Sequence, residues 1–454
     1  MELVEIIKDS SRLFIGDEVG QDYLFDEYVG QAKSVHAVAL PLTHEEVVAL
    51  VKYANEKDLK IIARGAGTGL SGATAPLENE LIIDLSKMNK IIDLDLNTMT
   101  LTVEPGVQLH EIQEYVESRG FFYPPDPGSK NSTIGGNVAT NAGGMRAVKY
   151  GVTRDYVRTI RLVLADGREL TVGTLNVKSS SGYDIKDLFI GSEGTLGIST
   201  LIQLKVIPLP KVKKSYIIAF DNLLEATRCV NTILHSGIAP TALEFFERDM
   251  IQLSEKETGL VFPTKKGHSF LLATFDGDDA SFIDQRAGVL KEIADKHEAE
   301  DYIILEGQSE KDAWKLRDTL LTAVVNYTEQ VTMDETVPIH HIATIYEYTK
   351  ELEAKYGLKL MSFGHAGDGN LHTCVLRGDI ESDSEWHETL DTVLNLLYNK
   401  IQELGGLPSA EHGIGIIKKK YFGKMMDPVY LDLMSSIKTS FDPTNRLNPG
   451  KLVI

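Results

Sequence analysis

The sequence predicts an α+β fold built from two main units. Short strand-like apolar runs joined by glycine-rich connections fill residues 1–210. Pro208 and Pro210 then interrupt that pattern, with lysines following. Beyond them, helical stretches alternate with strands such as SFLLATFDG and DYIILEG. The expected division is 1–210, 211–425 and a C-terminal segment 426–454, a helix followed by FDPTNRLNPGKLVI.

Taken in order, Thr43-His44-Glu45-Glu46 has the pattern of a capping box. Val47, Leu50, Val51 and Ala54 follow at helical spacing. LKIIA, Leu59 to Ala63, reads as a short buried strand, and another begins at Glu80. MTLTVEPG and IRLVLADGREL continue the strand texture. In the second unit, Ser309 and Asp312 form a second capping-box pattern, followed by the apolar stripe Ala313, Leu316, Leu320 and Val324.

Bulk properties exclude several classes. The net charge of -20, from 46 basic and 66 acidic side chains, repels phosphate backbones and argues against nucleic acid. No apolar run approaches the ~18 residues of a membrane helix. The acidic start MELVEIIKDSSRLFIGDE lacks the features of a signal peptide, so a cytoplasmic chain is expected. Cys229 and Cys374 imply no disulfide framework and cannot form a four-thiolate iron–sulfur site.

Three glycine-rich stretches carry the first functional signal. RGAGTGLSG runs from Arg64 to Gly72, and a strand rather than a helix follows it, which disfavours a Rossmann-type site. A nest of main-chain N–H groups is the alternative. The second stretch, Pro124 to Asp155, holds Ser132, Thr133, Gly135, Gly136, Asn137, Asn141, Gly143 and Gly144. The third is FIGSEGTLGIST, from Phe189 to Thr200. Together they suit an extended ligand held largely by main chain, and a flavin dinucleotide fits that description.

MSFGHAGDGNLHTCV carries the second signal. Gly-Asp-Gly-Asn between two strand-like runs predicts a hairpin that folds His365 towards His372. The pair is either two cation ligands or two polar residues facing solvent. SAEHGIG adds Glu411 and His412, and two histidines with one carboxylate would leave an open coordination position. Arg317 falls inside an apolar helical stripe, where it is either a structural ion pair or an anion clamp.

RGAGTGLSG, PPDPG, STIGGNVATNAGG, GSEGTLGI and RLNPGK, spread over nearly the whole chain, resemble the FAD-binding oxidoreductases of the vanillyl-alcohol oxidase type. More narrowly they resemble the branch that holds D-lactate dehydrogenase and the flavin-binding subunit of glycolate oxidase, which acts on D-2-hydroxy acids. The resemblance implies a two-subdomain FAD domain and an antiparallel-sheet cap. It implies cofactor contacts at Arg64, Gly65, Ala66, Gly67, Thr68 and Gly69 in the first stretch. In the second they fall at Pro125, Ser132, Thr133, Gly135, Gly136, Asn141, Gly143 and Gly144. Glu193, Gly194, Ile198 and Asn448 complete the set. His365, His372 and Glu411 would hold a divalent metal (zinc, manganese or iron), His412 would be the base, and Arg317 would anchor the substrate carboxylate.

The implied reaction is oxidation of a small D-2-hydroxy acid, with D-lactate to pyruvate preferred, by hydride transfer to flavin N5. Electrons would pass to an electron-transfer flavoprotein, an iron–sulfur subunit or a quinone, with a partner making any membrane association peripheral. The alternatives are the flavin-binding subunit of a glycolate oxidase complex and a D-2-hydroxyglutarate-type dehydrogenase. A metal-dependent hydrolase and a non-catalytic binding subunit are the readings from other classes. Relatives that oxidise hydroxy-diacids can carry asparagine two positions after the second motif histidine, where this chain has Cys374. Some relatives attach FAD covalently through a histidine near Thr68, so non-covalent FAD is expected here. Acid precipitation should therefore release the flavin into the supernatant, and colour retained in the pellet would contradict it.

Overall fold

The computed structural model describes residues 2–27 and 34–452. They divide into two units, one of 1–143, 152–209 and 411–454, the other of 144–151 and 210–410.

In the first unit the stripe read from sequence does its expected work. Helix His44–Glu56 starts at Thr43, whose side chain accepts from the Glu46 N–H. Val47, Leu50, Val51 and Ala54 are all fully buried. Burial of a side chain the size of valine or leucine contributes about 1.5–3 kcal/mol. They pack over a four-stranded sheet ordered Leu13–Ile15, Ala37–Ala39, Leu81–Asp84, Ile61–Arg64, whose last three strands are parallel. A five-stranded antiparallel sheet runs Ile91–Asp95, Thr100–Val103, Ile198–Lys205, Val157–Val163, Glu169–Gly173. Its central strand, Ile198–Lys205, alternates buried and half-buried positions, as a sheet with one covered face requires.

The second unit is one eight-stranded sheet in which every pairing is antiparallel. Seven strands follow the order Asp301–Leu305, Val212–Phe220, Ser269–Gly277, Ala242–Glu247, Lys359–His365, Asn370–Leu376, Gln330–Thr332. Glu335–Thr336 also pairs with Asn370–Leu376.

Three expectations need correction. The chain rejoins the first unit at Glu411, not at 426. The N–H groups of Ile414 and Gly415 bond to Glu193, and Ile414 packs with Phe422 and Leu452, so 411–425 belongs there. Residues 144–151 leave the first unit for the second, because Lys149 and the Tyr150 hydroxyl are tied to buried Asp276. The Ser309–Asp312 capping box does not form. Helix Gln308–Asp318 starts after Gly307, whose φ of 55° turns the chain earlier, and the Ser309 hydroxyl bonds back to the Glu306 carbonyl. The helix also stops at Asp318, and Leu320–Tyr327 is a separate helix beyond Thr319.

Lys438 on the C-terminal helix Pro428–Phe441 anchors that helix to the first unit. Its ammonium donates to the carbonyls of Thr195 (2.7 Å) and Leu447 (2.9 Å) and pairs with Asp442. Asp442 also accepts from the N–H groups of Arg446 and Leu447. Lys438→Ala strands this buried carboxylate and should destabilise the unit by about 3–5 kcal/mol in chemical denaturation.

Candidate active site

The first unit brings its three glycine-rich segments together with the tail. A Cβ on Gly65 would lie 2.1 Å from the Thr133 hydroxyl, so only glycine lets these two segments touch. The Glu193 N–H donates to the Ala139 carbonyl at 2.7 Å, joining the second segment to the third. Asn448 binds the first to the third, its side-chain amide donating to the carbonyls of Ala73 (2.9 Å) and Glu193 (2.7 Å). Lys451 donates to Asn448 in turn, and burial pulls the Lys451 ammonium down to about 8.

A cavity of about 390 Å³ opens against Arg64, Gly65, Ala66 and Thr133. Bare main chain at Gly65 and Ala66 allows the close approach that a dinucleotide needs. Asp22, Asp84 and Glu111 share the wall and suit hydroxyl donors such as those of a ribose. The lining draws on the first and second of the three glycine-rich segments read from sequence.

The other expected cofactor residues divide. Thr133 caps the short helix Ile134–Thr140, which contains Gly135 and Gly136. Asn141 ends that helix in a left-handed conformation and accepts from the Arg154 N–H. The Ser132 hydroxyl bonds to the Ser129 carbonyl. The Pro125 carbonyl accepts from Gln113 at 3.4 Å. Thr68 is half-buried between Gly67 and Gly69, and Gly69 accepts from the Glu27 N–H. Arg64 spends its guanidinium on the carbonyls of Phe25 (2.6 Å) and Asp22 (3.1 Å), while Ile198 packs its side chain into the hydrophobic core. Gly194 follows Glu193 with φ of 70°. Gly143 lies beside Glu411, and Gly144 begins the segment assigned to the second unit.

Glu193 also shapes the turn that carries Glu411 and His412. Its carboxylate accepts from the N–H groups of Ile414 (2.7 Å) and Gly415 (2.8 Å). The Ser71 hydroxyl donates to the His412 carbonyl at 2.9 Å. Gly415 has φ of 49°, and a Cβ there would lie 2.0 Å from the Ser71 carbonyl oxygen. Within the turn, His412 Nε2 lies 3.9 Å from Glu411 Oε1. Burial pushes the Glu193 carboxyl above its usual range, and the two N–H donors only partly offset it.

In the second unit the hairpin forms as expected. Lys359–His365 pairs with Asn370–Leu376 so that Phe363 faces His372 and His365 faces Asn370. The two histidines are diagonal neighbours on one face of the sheet. Their rings are perpendicular, 5.4 Å between centroids, and both side chains are buried. Two buried imidazoles at this separation are a donor pair suited to zinc, manganese or iron(II).

Sequence reasoning missed the carboxylates around them. Glu244, on the adjoining strand Ala242–Glu247, lies opposite His365 and bonds to its Nδ1 through both oxygens, at 2.8 and 2.9 Å. Arg317 pairs with the same carboxylate. Asp334, also fully buried, lies 3.8 Å from His372 Nδ1. It accepts from the Ser409 hydroxyl (2.7 Å), the Ala410 N–H (3.1 Å) and the Asn370 amide (3.1 Å). Asp334 thereby fixes the strand-like end from which Glu411 follows directly in sequence.

Glu193→Gln replaces one of two acceptor oxygens by a donor. One N–H of the 414–415 pair then loses its partner, and urea denaturation should show a loss of about 1–3 kcal/mol.

Two family matches cover most of the chain. Residues 35–173 match the FAD binding domain and 209–452 the C-terminal domain of FAD linked oxidases. A D-lactate dehydrogenase of Anaerostipes hadrus is 40% identical, with 99% of this chain and 97% of that protein covered. Glycolate oxidase subunit GlcD of Bacillus subtilis is 36% identical, covering 95% of this chain and 91% of that protein. Among solved structures, p-cresol methylhydroxylase with substrate bound shares the fold, with a TM-score of 0.78, 18% identity, and 99% and 95% of the two chains covered. These matches show that the chain belongs to the FAD-linked oxidase family, with D-lactate dehydrogenase and glycolate oxidase subunit GlcD among its relatives, and is an FAD-dependent oxidoreductase.

Proposed function

We propose that this flavoprotein oxidises a small D-2-hydroxy acid, D-lactate in preference, to the 2-oxo acid, with help from a divalent cation. The carrying observation is the pair of buried imidazoles on one hairpin face, one of them backed by a carboxylate, in a chain that binds FAD. A D-lactate dehydrogenase at 40% identity over nearly the full length supports the substrate class.

When bound, FAD supplies the acceptor for the C2 hydride, and a divalent cation lends positive charge to the hydroxyl oxygen. The proposed ligands are His365, His372 and Glu411. His412 takes the hydroxyl proton on its imidazole, a group suited to that task near neutral pH. Its main chain is held by Ser71, and the turn that follows is held by Glu193, so the ring starts from a fixed base. Arg317 is proposed to anchor the substrate carboxylate, sharing its charge with Glu244. Loss of the hydroxyl proton and the C2 hydride balances the conversion of alcohol to ketone. The two electrons then leave for a separate acceptor, an electron-transfer flavoprotein, an iron–sulfur subunit or a quinone. No helix among the described residues is long and apolar enough to cross a membrane.

The relative named glycolate oxidase subunit GlcD supports glycolate as the second reading of the substrate. Anaerobic addition of D-lactate, L-lactate, glycolate and D-2-hydroxyglutarate in turn distinguishes them by the rate at which the flavin bleaches. D-lactate should bleach it fastest, and no bleaching by any of the four would overturn the proposal. His412→Ala should slow bleaching by about 10²-fold or more in stopped flow, with the oxidised flavin spectrum unchanged.

A further inference from the structure

We infer that Glu244 is a positioning residue that prepares His365 to take a cation, a role that rests on the proposed ligand set. Glu244 sits directly across the strand pair from His365 and has no exposed surface. Both its oxygens face His365 Nδ1, at 2.8 and 2.9 Å. An ionised carboxylate can only accept, so the proton of the neutral imidazole is on Nδ1. The lone pair is then on Nε2, the atom a cation would need.

Arg317 Nη2 also lies 3.4 Å from His365 Nδ1. A guanidinium has only donors, so this contact is not a hydrogen bond to a protonated Nδ1. Arg317 is directed instead to Oε2 of Glu244, supplying the countercharge that a buried carboxylate requires. Glu244 is thus engaged by two partners and has no exposed edge for a ligand, so it acts on the cation through His365.

His372 Nδ1 is placed differently. It lies 3.8 Å from Asp334 Oδ1, beyond hydrogen-bond range, and Asp334 is committed to Ser409, Ala410 and Asn370. At His365 the tautomer is locked by the carboxylate at Nδ1. A carboxylate behind a ligating histidine fixes its ring and raises its basicity, and its loss generally weakens metal binding 10–100-fold.

The test uses the metal-stripped flavoprotein, titrated with Zn²⁺ and Mn²⁺ against a chromophoric chelator. Nitrogen-15 imidazole spectra run in parallel, with His365 assigned by comparison with His365→Ala. Wild type should bind one equivalent and show the His365 proton on Nδ1. Glu244→Gln should weaken binding by about 10–100-fold. If that variant folds poorly with Arg317 unpaired, Glu244→Leu combined with Arg317→Met removes both charges at similar volume. It should show the same loss of affinity and a His365 proton shared between the two nitrogens. Wild-type affinity in a folded variant, or a wild-type proton on Nε2, overturns the inference alone. Wild type that takes up no divalent cation overturns the proposed ligand set, and this inference with it.

Discussion

A carboxylate with no access to water has to be neutralised where it stands, and much of the second unit is arranged to do so for Glu244. Removing a carboxylate from water costs several kcal/mol even after relaxation. Arg317 answers the charge and His365 answers the remaining lone pairs. Each partner comes from a different element, the helix Gln308–Asp318 and the strand Lys359–His365. The charge therefore fixes a helix, a hairpin and the strand Ala242–Glu247 to one another. A one-residue slip of that strand would turn Glu244 to the opposite face and leave both partners unanswered. The polar cluster thus specifies register as well as chemistry.

The first unit shows the same economy with uncharged groups. Asn448 joins two glycine segments through main-chain carbonyls, and Glu193 holds the turn after His412 through main-chain N–H groups. The glycines leave the backbone exposed for a ligand, but they supply no side chains to hold the segments in place. A few long polar side chains do that instead. Glu193 belongs to this class, although its motif had marked it only as a cofactor contact.

What was legible in the sequence was local. Hairpin residues between two strand-like runs sufficed to bring His365 to His372, and a stripe at helical spacing sufficed for His44–Glu56. Glu244 was not legible, because ALEFFE lies some 120 residues before His365 and reads as an ordinary strand with two glutamates. Only the pairing of two distant strands gives that glutamate its partner. Asp334 escaped for the same reason, since its partners Ser409 and Ala410 are 75 and 76 residues away. Ser309 failed in the opposite sense. The local pattern was present, but Gly307 started the helix earlier and converted a capping serine into an internal one. The return to the first unit at Glu411 was hidden because long-range bonds to Glu193 and Ser71 decide it, with no change in composition.

The same sheet face also bears on substrate size. His372, Cys374 and Leu376 alternate onto one face of their strand, beside His365, Phe363 and Met361 on the next. Polar groups gather at the hairpin end. Away from it, Phe363, Met361, Cys374 and Leu376 join a buried apolar cluster with Ala313 and Leu316, which lie on the helix that carries Arg317. Burial pushes the Cys374 thiol up to about 12, so it stays neutral at physiological pH. A second carboxylate directed into this cluster would lose its hydration and gain no donor of comparable strength, which costs several kcal/mol. Under the proposed reading, Arg317 and the ligand histidines would hold one carboxylate and one hydroxyl, and the packed apolar cluster beyond them offers no cationic partner for a second carboxylate. The proposed reading therefore favours a monocarboxylic hydroxy acid over a diacid extended towards Cys374.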